Sequence, residues 1–123
     1  MREYSIILTL LISCPVSAEW TSVANGKEST YFVENSSIRK EGNIRKTWEI
    51  ENLKKPQKNV SSLRSRVEYD CKQERYRTLS FSTHTELMAK GSIVDSGPIE
   101  SPSWNDIPPG TVSYHLYQYV CSR

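Results

Sequence analysis

The chain has 123 residues, and its 16 lysines and arginines against 14 aspartates and glutamates give a formal net charge of +2. A chain of this length holds a single domain. So small an excess of positive charge is not the signature of a nucleic-acid-binding protein. With three cysteines and two histidines, the chain also lacks the closely spaced ligands that define a zinc site.

The first part of the chain, residues 1–18, has the layout of a secretory signal peptide. A basic residue near the start is followed by a largely apolar run at 6–12 and then by small residues. That run is much shorter than the roughly 20 residues of a membrane-spanning helix. Cleavage after Ala18 would leave a mature domain of residues 19–123. Alternatively, the sequence LISC resembles a lipobox, in which Cys14 is lipidated and anchors the chain to a membrane. Both alternatives stay open.

Several short strands are predicted in the first half of the mature domain. The turn signal NGKES, residues 25–29, separates two β-prone runs, and the Gly42-Asn43 pair suits a tight reversal. The run IRKTWEIENL then alternates between an apolar face, which includes Trp48 and Ile50, and a polar face. This alternation predicts a half-buried antiparallel strand.

The second half continues the same pattern after a break. The basic stretch KKPQKN, residues 54–59, is predicted to be a loop because it contains a proline among polar residues. The following run, SSLRSRVEYDCK, alternates with Val67, Tyr69 and Cys71 on one face. YRTLSFSTHTEL and GSIVDSG predict two further strands. The proline-rich PIESPSWNDIPPG is predicted to lack regular structure.

The chain is predicted to end in a helix. Thr111 is a plausible amino-terminal cap, and Val112, Leu116, Tyr119 and Val120 fall on one apolar stripe at helical spacing. The sequence therefore predicts an α+β domain, in which an antiparallel β-sheet of about five to six strands packs against a carboxy-terminal α-helix.

Two cysteines, Cys71 and Cys121, remain after residues 1–18 are removed. In an oxidising compartment such a pair most simply forms one disulfide. A metal site would need more ligands, and a thioredoxin-type site would need a C-x-x-C motif. The bond would close a loop of about 50 residues and stabilise the fold by roughly 3–4 kcal/mol.

Nothing in the sequence predicts catalysis or a cofactor. The histidines, His84 and His115, have no companion ligands at a recognisable metal spacing. A hydrolytic triad needs a nucleophile, a base and an orienting acid, and no motif in the chain indicates one. We therefore expect a non-enzymatic protein without a metal or cofactor.

One group of basic residues is a candidate partner-binding surface. A basic loop beside a basic strand face can attract an acidic partner. The alternative is a mixed, solvated face, because Glu68, Asp70 and Glu74 are interleaved with further basic residues. The candidate residues are Lys54, Lys55, Lys58, Arg64 and Arg66.

Several stretches together resemble the bacterial surface-adhesin protein E family. They are TWEIENL around Trp48, YDCKQERYRTLSF around Cys71, SPSWNDIPPGT around Trp104, and the terminal Val120-Cys121. The resemblance implies a small α+β domain exported by Gram-negative bacteria, with a terminal helix held by a disulfide. It also implies adhesin activity toward host extracellular-matrix or serum proteins.

Together these observations predict an exported, adhesin-like binding domain with a protein partner and no nucleic acid. It would lie in the periplasm or at the outer-membrane surface, and it would contact a membrane only if Cys14 is lipidated. The alternative function is that of a soluble periplasmic inhibitor or accessory protein of an envelope enzyme, since a rigid disulfide-tied domain loses little entropy on binding.

Overall fold

The computed structural model describes residues 3, 5–7, 9 and 19–123. Within them, eight strands form one antiparallel sheet. Cys14 and the predicted cleavage site after Ala18 lie outside the described residues. No helix in the described part of the chain is long and apolar enough to cross a membrane. The strands are β1 (Trp20–Asn25), β2 (Ser29–Glu34), β3 (Arg39–Glu41), β4 (Ile44–Gln57), β5 (Val60–Asp70), β6 (Arg75–His84), β7 (Ile93–Pro98) and β8 (Asn105–Asp106).

The sheet is a meander with two short additions. Its main path runs β1-β2-β4-β5-β6-β7, while β3 pairs with β4 and β8 pairs with β6. The predicted α+β class is confirmed, but the sheet has more strands than the five to six that we expected. β3 has three residues and β8 has two, which is too short for alternation to show. β8 also lies within the stretch that was predicted to lack regular structure.

The predicted loop at 54–59 is wrong. β4 continues to Gln57, and only Lys58 and Asn59 form the turn, with φ angles of 48° and 66°. Gln57 pairs directly with Val60, whereas pairing with β5 is interrupted between Asn52 and Gln57. Pro56, which has no N–H to donate, falls in that gap. This end of the hairpin is exposed on both faces, so no apolar alternation marks it as a strand.

The alternation predicted for β4 is present, but its apolar face is not the face that the helix covers. Thr47 and Glu49 are buried on the helix side of the sheet, and Trp48 lies on the opposite side. We call the side under the helix the helix face. The opposite side, which carries Trp48, Arg64 and Arg66, is the outer face.

The terminal helix, α1 (Val112–Cys121), packs on the helix face. The predicted cap is confirmed, because Thr111 Oγ1 accepts a hydrogen bond from the Tyr114 amide at 3.2 Å. Leu116 and Val120 are buried against the sheet, as their spacing predicted. The remaining core residues are Val33, Val67, Tyr69 and Ile107.

The predicted disulfide joins the end of α1 to the chain just after β5. Cys71 and Cys121 are bonded, with their Cα atoms 5.7 Å apart. The Tyr117 hydroxyl donates a 2.8 Å hydrogen bond to the Cys71 carbonyl oxygen. Covalent and hydrogen-bonded links therefore hold the same turn of the helix to the sheet.

Candidate binding surface

The centre of the outer face carries a tryptophan in contact with two arginines. Arg66 is paired with Trp48 across β4 and β5, and Arg64 is one pair further along the same face. The guanidinium carbons of Arg64 and Arg66 lie 4.2 Å and 4.9 Å from the centroid of the Trp48 ring. Both distances are within the range of an attractive cation–π contact. The side chains therefore form one preformed cluster on a half-buried part of the sheet.

A second cluster of the same composition lies at the β8 end of the outer face. Arg75 and Arg77 of β6 place their guanidinium carbons 4.6 Å and 4.4 Å from the Trp104 ring centroid. Arg75 Nε donates to Asp70 Oδ2 at 3.1 Å, and Arg77 Nε donates to Glu68 Oε1 at 2.9 Å. These ion pairs fix both arginines against the indole.

The electrostatics of the two clusters differ. Burial works against ionisation of Asp70, but hydrogen bonds from the Gln73 amide and the Arg75 guanidinium outweigh it and lower its pKa. Burial, followed by repulsion from Arg39, lowers the pKa of Arg66. Among the described residues, Arg64 and Arg66 have no carboxylate within ion-pair distance. The Trp48 cluster is thus the more positive of the two.

The five basic residues singled out in the sequence do not form one patch. Arg64 and Arg66 lie in the Trp48 cluster, whereas Lys54, Lys55 and Lys58 lie at the exposed end of the β4–β5 hairpin. Lys54 and Lys55 border a shallow cavity of about 280 Å³ together with the oppositely charged pair Lys27 and Glu28. The structure brings the two arginines together and leaves the three lysines as a separate group.

The tryptophans were missed as site residues by the sequence reasoning. Trp48 was placed with Ile50 on the apolar face of a half-buried strand. Trp104 was noted in an irregular segment and as part of the family resemblance, and neither residue was named as a binding residue. Their contacts with arginine depend on strand register and on the short strand β8. One signal in the sequence could have indicated these clusters. Arginines recur on one face of β5 and β6, and these strands lie next to the segments that carry the tryptophans.

The connection between β6 and β7 covers one end of the outer face. The Met88 amide donates to Asn52 Oδ1 at 2.8 Å, and the Ala89 amide donates to Ser62 Oγ at 2.9 Å. His84 is buried beside this connection, with Nε2 2.8 Å from Ser82 Oγ. Burial, then the charge of Arg64, lowers the pKa of His84. Outside the connection, Trp48 and Trp104 are both partly exposed.

The two histidines lie apart in the fold. His84 is buried on the outer face, and His115 is exposed on α1, so the histidines lie on opposite sides of the sheet. No group of three or more metal-ligating side chains occurs within residues 19–123 or the few described before them. What the outer face offers is flat aromatic and guanidinium surface, which is enriched in protein–protein contacts.

The fold is that of a small α+β domain, in which an antiparallel sheet carries a disulfide-tied terminal helix on one face and arginine–tryptophan clusters on the other. The profile of the surface-adhesin protein E family matches residues 20–122, which is nearly the whole described domain. The chain therefore belongs to the surface-adhesin protein E family, as its resemblance predicted. Membership makes it an adhesin-like surface protein and implies a non-enzymatic role.

The solved structures that share this fold include those of protein E from Haemophilus influenzae. One has 15% sequence identity and a TM-score of 0.66, with 87% of this chain and 86% of that chain covered. A second crystal form has 14% identity and a TM-score of 0.61, with 86% and 96% covered. At this identity the likeness shows the fold alone. No curated protein sequence matches the chain.

Proposed function

We propose that the chain binds proteins of the host extracellular matrix or serum through the outer face of its sheet. The observation that supports this is the pair of tryptophans, Trp48 and Trp104, each in contact with two arginines on the face opposite the helix. Tryptophan and arginine are the residues that most often dominate the binding energy of protein interfaces. Family membership supports a surface-binding role for the same domain.

The outer face is also preorganised for binding. Arg75 and Arg77 are held by carboxylates whose side chains are 7% and 12% exposed. Side chains that are already fixed lose less conformational entropy when a partner docks. Each guanidinium uses Nε for its ion pair and keeps further N–H donors for a partner. The second cluster can therefore add hydrogen bonds at a low entropic cost.

The Trp48 cluster sets the chemistry of the partner. Arg64 and Arg66 carry charge that no described carboxylate neutralises within ion-pair distance. A partner surface with an acidic side chain next to an apolar one would complete the cluster, because the carboxylate pairs with arginine while the apolar group covers the indole. We expect such a pair at the centre of the interface.

The three lysines at the hairpin end, Lys54, Lys55 and Lys58, have a second role in the proposal. They are exposed and form no ion pair with a described carboxylate. Exposed charges act over roughly 10 Å at moderate salt and mainly accelerate encounter with an oppositely charged surface. Their contribution should therefore appear in the association rate and disappear as the salt concentration rises.

The proposal is tested by surface plasmon resonance against a panel of immobilised host matrix and serum proteins. Arg64→Glu/Arg66→Glu should weaken binding at least about tenfold at every salt concentration. Lys54→Glu/Lys55→Glu/Lys58→Glu should slow association at low salt only. Lys40→Glu/Arg123→Glu is the matched control for net charge, because Lys40 is exposed and paired with Arg45, which lies opposite Tyr69 on the helix face. Binding that is insensitive to the arginine pair, in variants that keep their circular dichroism spectrum, would refute the role of this face.

The proposal includes export of the chain. Residues 1–18 would act as the signal peptide, with cleavage after Ala18 or lipidation of Cys14 as the two routes. Intact-mass analysis of the mature protein distinguishes them, because a lipidated Cys14 would be the first residue. Trypsin treatment of intact cells then locates the domain. Digestion favours a host-facing protein, whereas protection until the cells are permeabilised favours the periplasmic inhibitor or accessory protein.

A further inference from the structure

A cavity with a mixed polar and apolar lining lies on the helix face, on the opposite side of the sheet from the tryptophans. It lies between the amino-terminal half of α1 and the central strands and has a volume of about 270 Å³. The residues that line it include the acids Glu49 and Glu51 and the apolar residues Val67 and Leu116. The hydroxyl-bearing residues of the lining include Ser65, Tyr76, Thr78 and Ser113. None of the described residues that line it is a lysine, arginine or histidine.

Glu49 is the most deeply placed acid in this cavity. Glu49 as a whole residue is only 9% exposed. Oε2 accepts hydrogen bonds from the Tyr69 hydroxyl at 2.7 Å and from Thr47 Oγ1 at 2.8 Å. Both bonds go to the same oxygen, and no described residue donates to Oε1. That oxygen is therefore free to accept from a ligand.

The electrostatic sign of the cavity is negative. Two carboxylates carry up to two full negative charges, against about half a positive charge at the start of a helix. The adjoining cavity, of about 450 Å³, adds Lys27 and Glu28, which cancel each other. Burial raises the pKa of Glu49 to about 7, although its hydrogen bonds with Tyr69 and Thr47 act to lower it. A cation bound beside this carboxyl would favour its ionised form.

The size and the donors of the cavity select a class of ligand. Its volume is just below the 300–1,000 Å³ that is usual for sites of drug-sized ligands, so a slender group fits better than a ring system. A primary ammonium group presents three N–H donors and no acceptor. Such a group matches a surface made of carboxylate and hydroxyl oxygens.

We propose that this cavity binds a primary alkylammonium group, which donates hydrogen bonds to Glu49 Oε1 and to the neighbouring hydroxyl oxygens. The group can belong to a free diamine or to a lysine side chain of a protein partner. The site lies on the other side of the sheet from the outer face, so it is independent of the function proposed above.

The proposal is tested by carbon-detected NMR of the Glu49 side-chain carboxyl during a pH titration. Millimolar cadaverine should move the titration of Glu49 to lower pH, while 1,5-pentanediol, its uncharged analogue, should leave it unchanged. The variants are compared by isothermal titration calorimetry, because Glu49→Gln has no Glu49 carboxyl to observe. Glu49→Gln should bind cadaverine about tenfold or more weakly than the wild type, which is the cost of losing one charged hydrogen bond. The amide oxygen of the introduced glutamine would still accept from Tyr69 and Thr47, and thermal unfolding checks that the variant is folded. Glu68→Gln, on the outer face, should bind cadaverine like the wild type.

A parallel titration with Nα-acetyl-lysine N-methylamide separates the two sources of the ammonium group. Binding of both amines indicates a site for a partner's lysine, and binding of cadaverine alone indicates a site for a free diamine. Either result supports the proposal. The proposal is overturned if neither amine changes the titration of Glu49, or if Glu49→Gln binds cadaverine as tightly as the wild type does.

Discussion

Arg64 lies over the indole of Trp48, with its guanidinium carbon 4.2 Å from the ring centroid. The two residues are on neighbouring strands, and the contact exists because Trp48 is paired with Arg66 and Ile50 with Arg64. A pairing register shifted by one residue would move both arginines to the helix face. The candidate binding surface is thus a direct product of how the β4–β5 hairpin aligns its strands.

The Trp48 cluster should also contribute to stability. We expect Trp48→Ala to lower the free energy of unfolding by about 2 kcal/mol, because it removes half-buried aromatic area and two cation–π contacts. Trp48→Phe keeps a ring for the arginines and should lose less than half as much. Urea unfolding of the three proteins measures both effects. Equal losses for the two variants would show that the ring makes no specific contribution.

The Cys71–Cys121 bond should carry a large share of the stability. It joins residues separated by 50 positions in the chain, and closing a loop of that length stabilises a fold by about 4 kcal/mol on the chain-entropy estimate. Cys71→Ser/Cys121→Ser should lose this amount in urea unfolding and should still show the circular dichroism of a β-sheet with one helix. A loss below about 1 kcal/mol would mean that the core holds α1 without the bond.

Glu49 should make the wild type less stable as the pH rises. Its pKa is about 7 in the folded chain against 4.5 for the free side chain, so between these values the unfolded chain releases a proton that the folded chain keeps. The stability that Glu49 contributes as a protonated, buried carboxyl is fully present below pH 4.5. It falls by up to about 3 kcal/mol as the pH rises through 7.

The matched variant for this effect is Glu49→Gln, whose side chain keeps its charge state at every pH. The difference in unfolding free energy between wild type and variant should change by that amount between about pH 4.5 and about pH 8. Contributions of other groups cancel in the difference. A difference that is constant with pH would show that Glu49 titrates normally.

His84 should act in the opposite direction. Burial, then the charge of Arg64, lowers its pKa in the folded chain below the usual 6.5. The unfolded chain therefore takes up a proton first on acidification, and stability that is present above pH 6.5 is lost as the pH falls through the folded pKa. His84→Gln should remove this loss, as measured by unfolding at a series of pH values. If the variant loses as much stability at acid pH as the wild type does, a group other than His84 causes the loss.

Local signals were enough to predict much of the fold. The cap at Thr111, the apolar stripe with Leu116 and Val120, and the Gly42-Asn43 reversal each depend on a few neighbouring residues, and all are present. The cysteine pairing followed from there being two candidates in the mature chain. These features need no knowledge of how distant segments align.

The features that sequence reasoning missed depend on tertiary context. Alternation in β4 gave the correct period, but it did not show which face the helix would cover, since Thr47 and Glu49 are polar and yet buried. The end of β4 extends beyond the core, so its residues have no buried face to mark the strand. Arg64 and Arg66 were chosen for their charge. Their partnership with Trp48 arises only from the strand register.

The central claim, that the outer face of the sheet is the binding surface, is tested most directly by hydroxyl-radical footprinting. The chain is labelled alone and in complex with a matrix or serum protein from the panel, and side-chain oxidation is measured by mass spectrometry. The account predicts that oxidation of Trp48 and Trp104 falls in the complex while that of Tyr114 on α1 is unchanged. Protection of Tyr114 with undiminished oxidation of both tryptophans would contradict it.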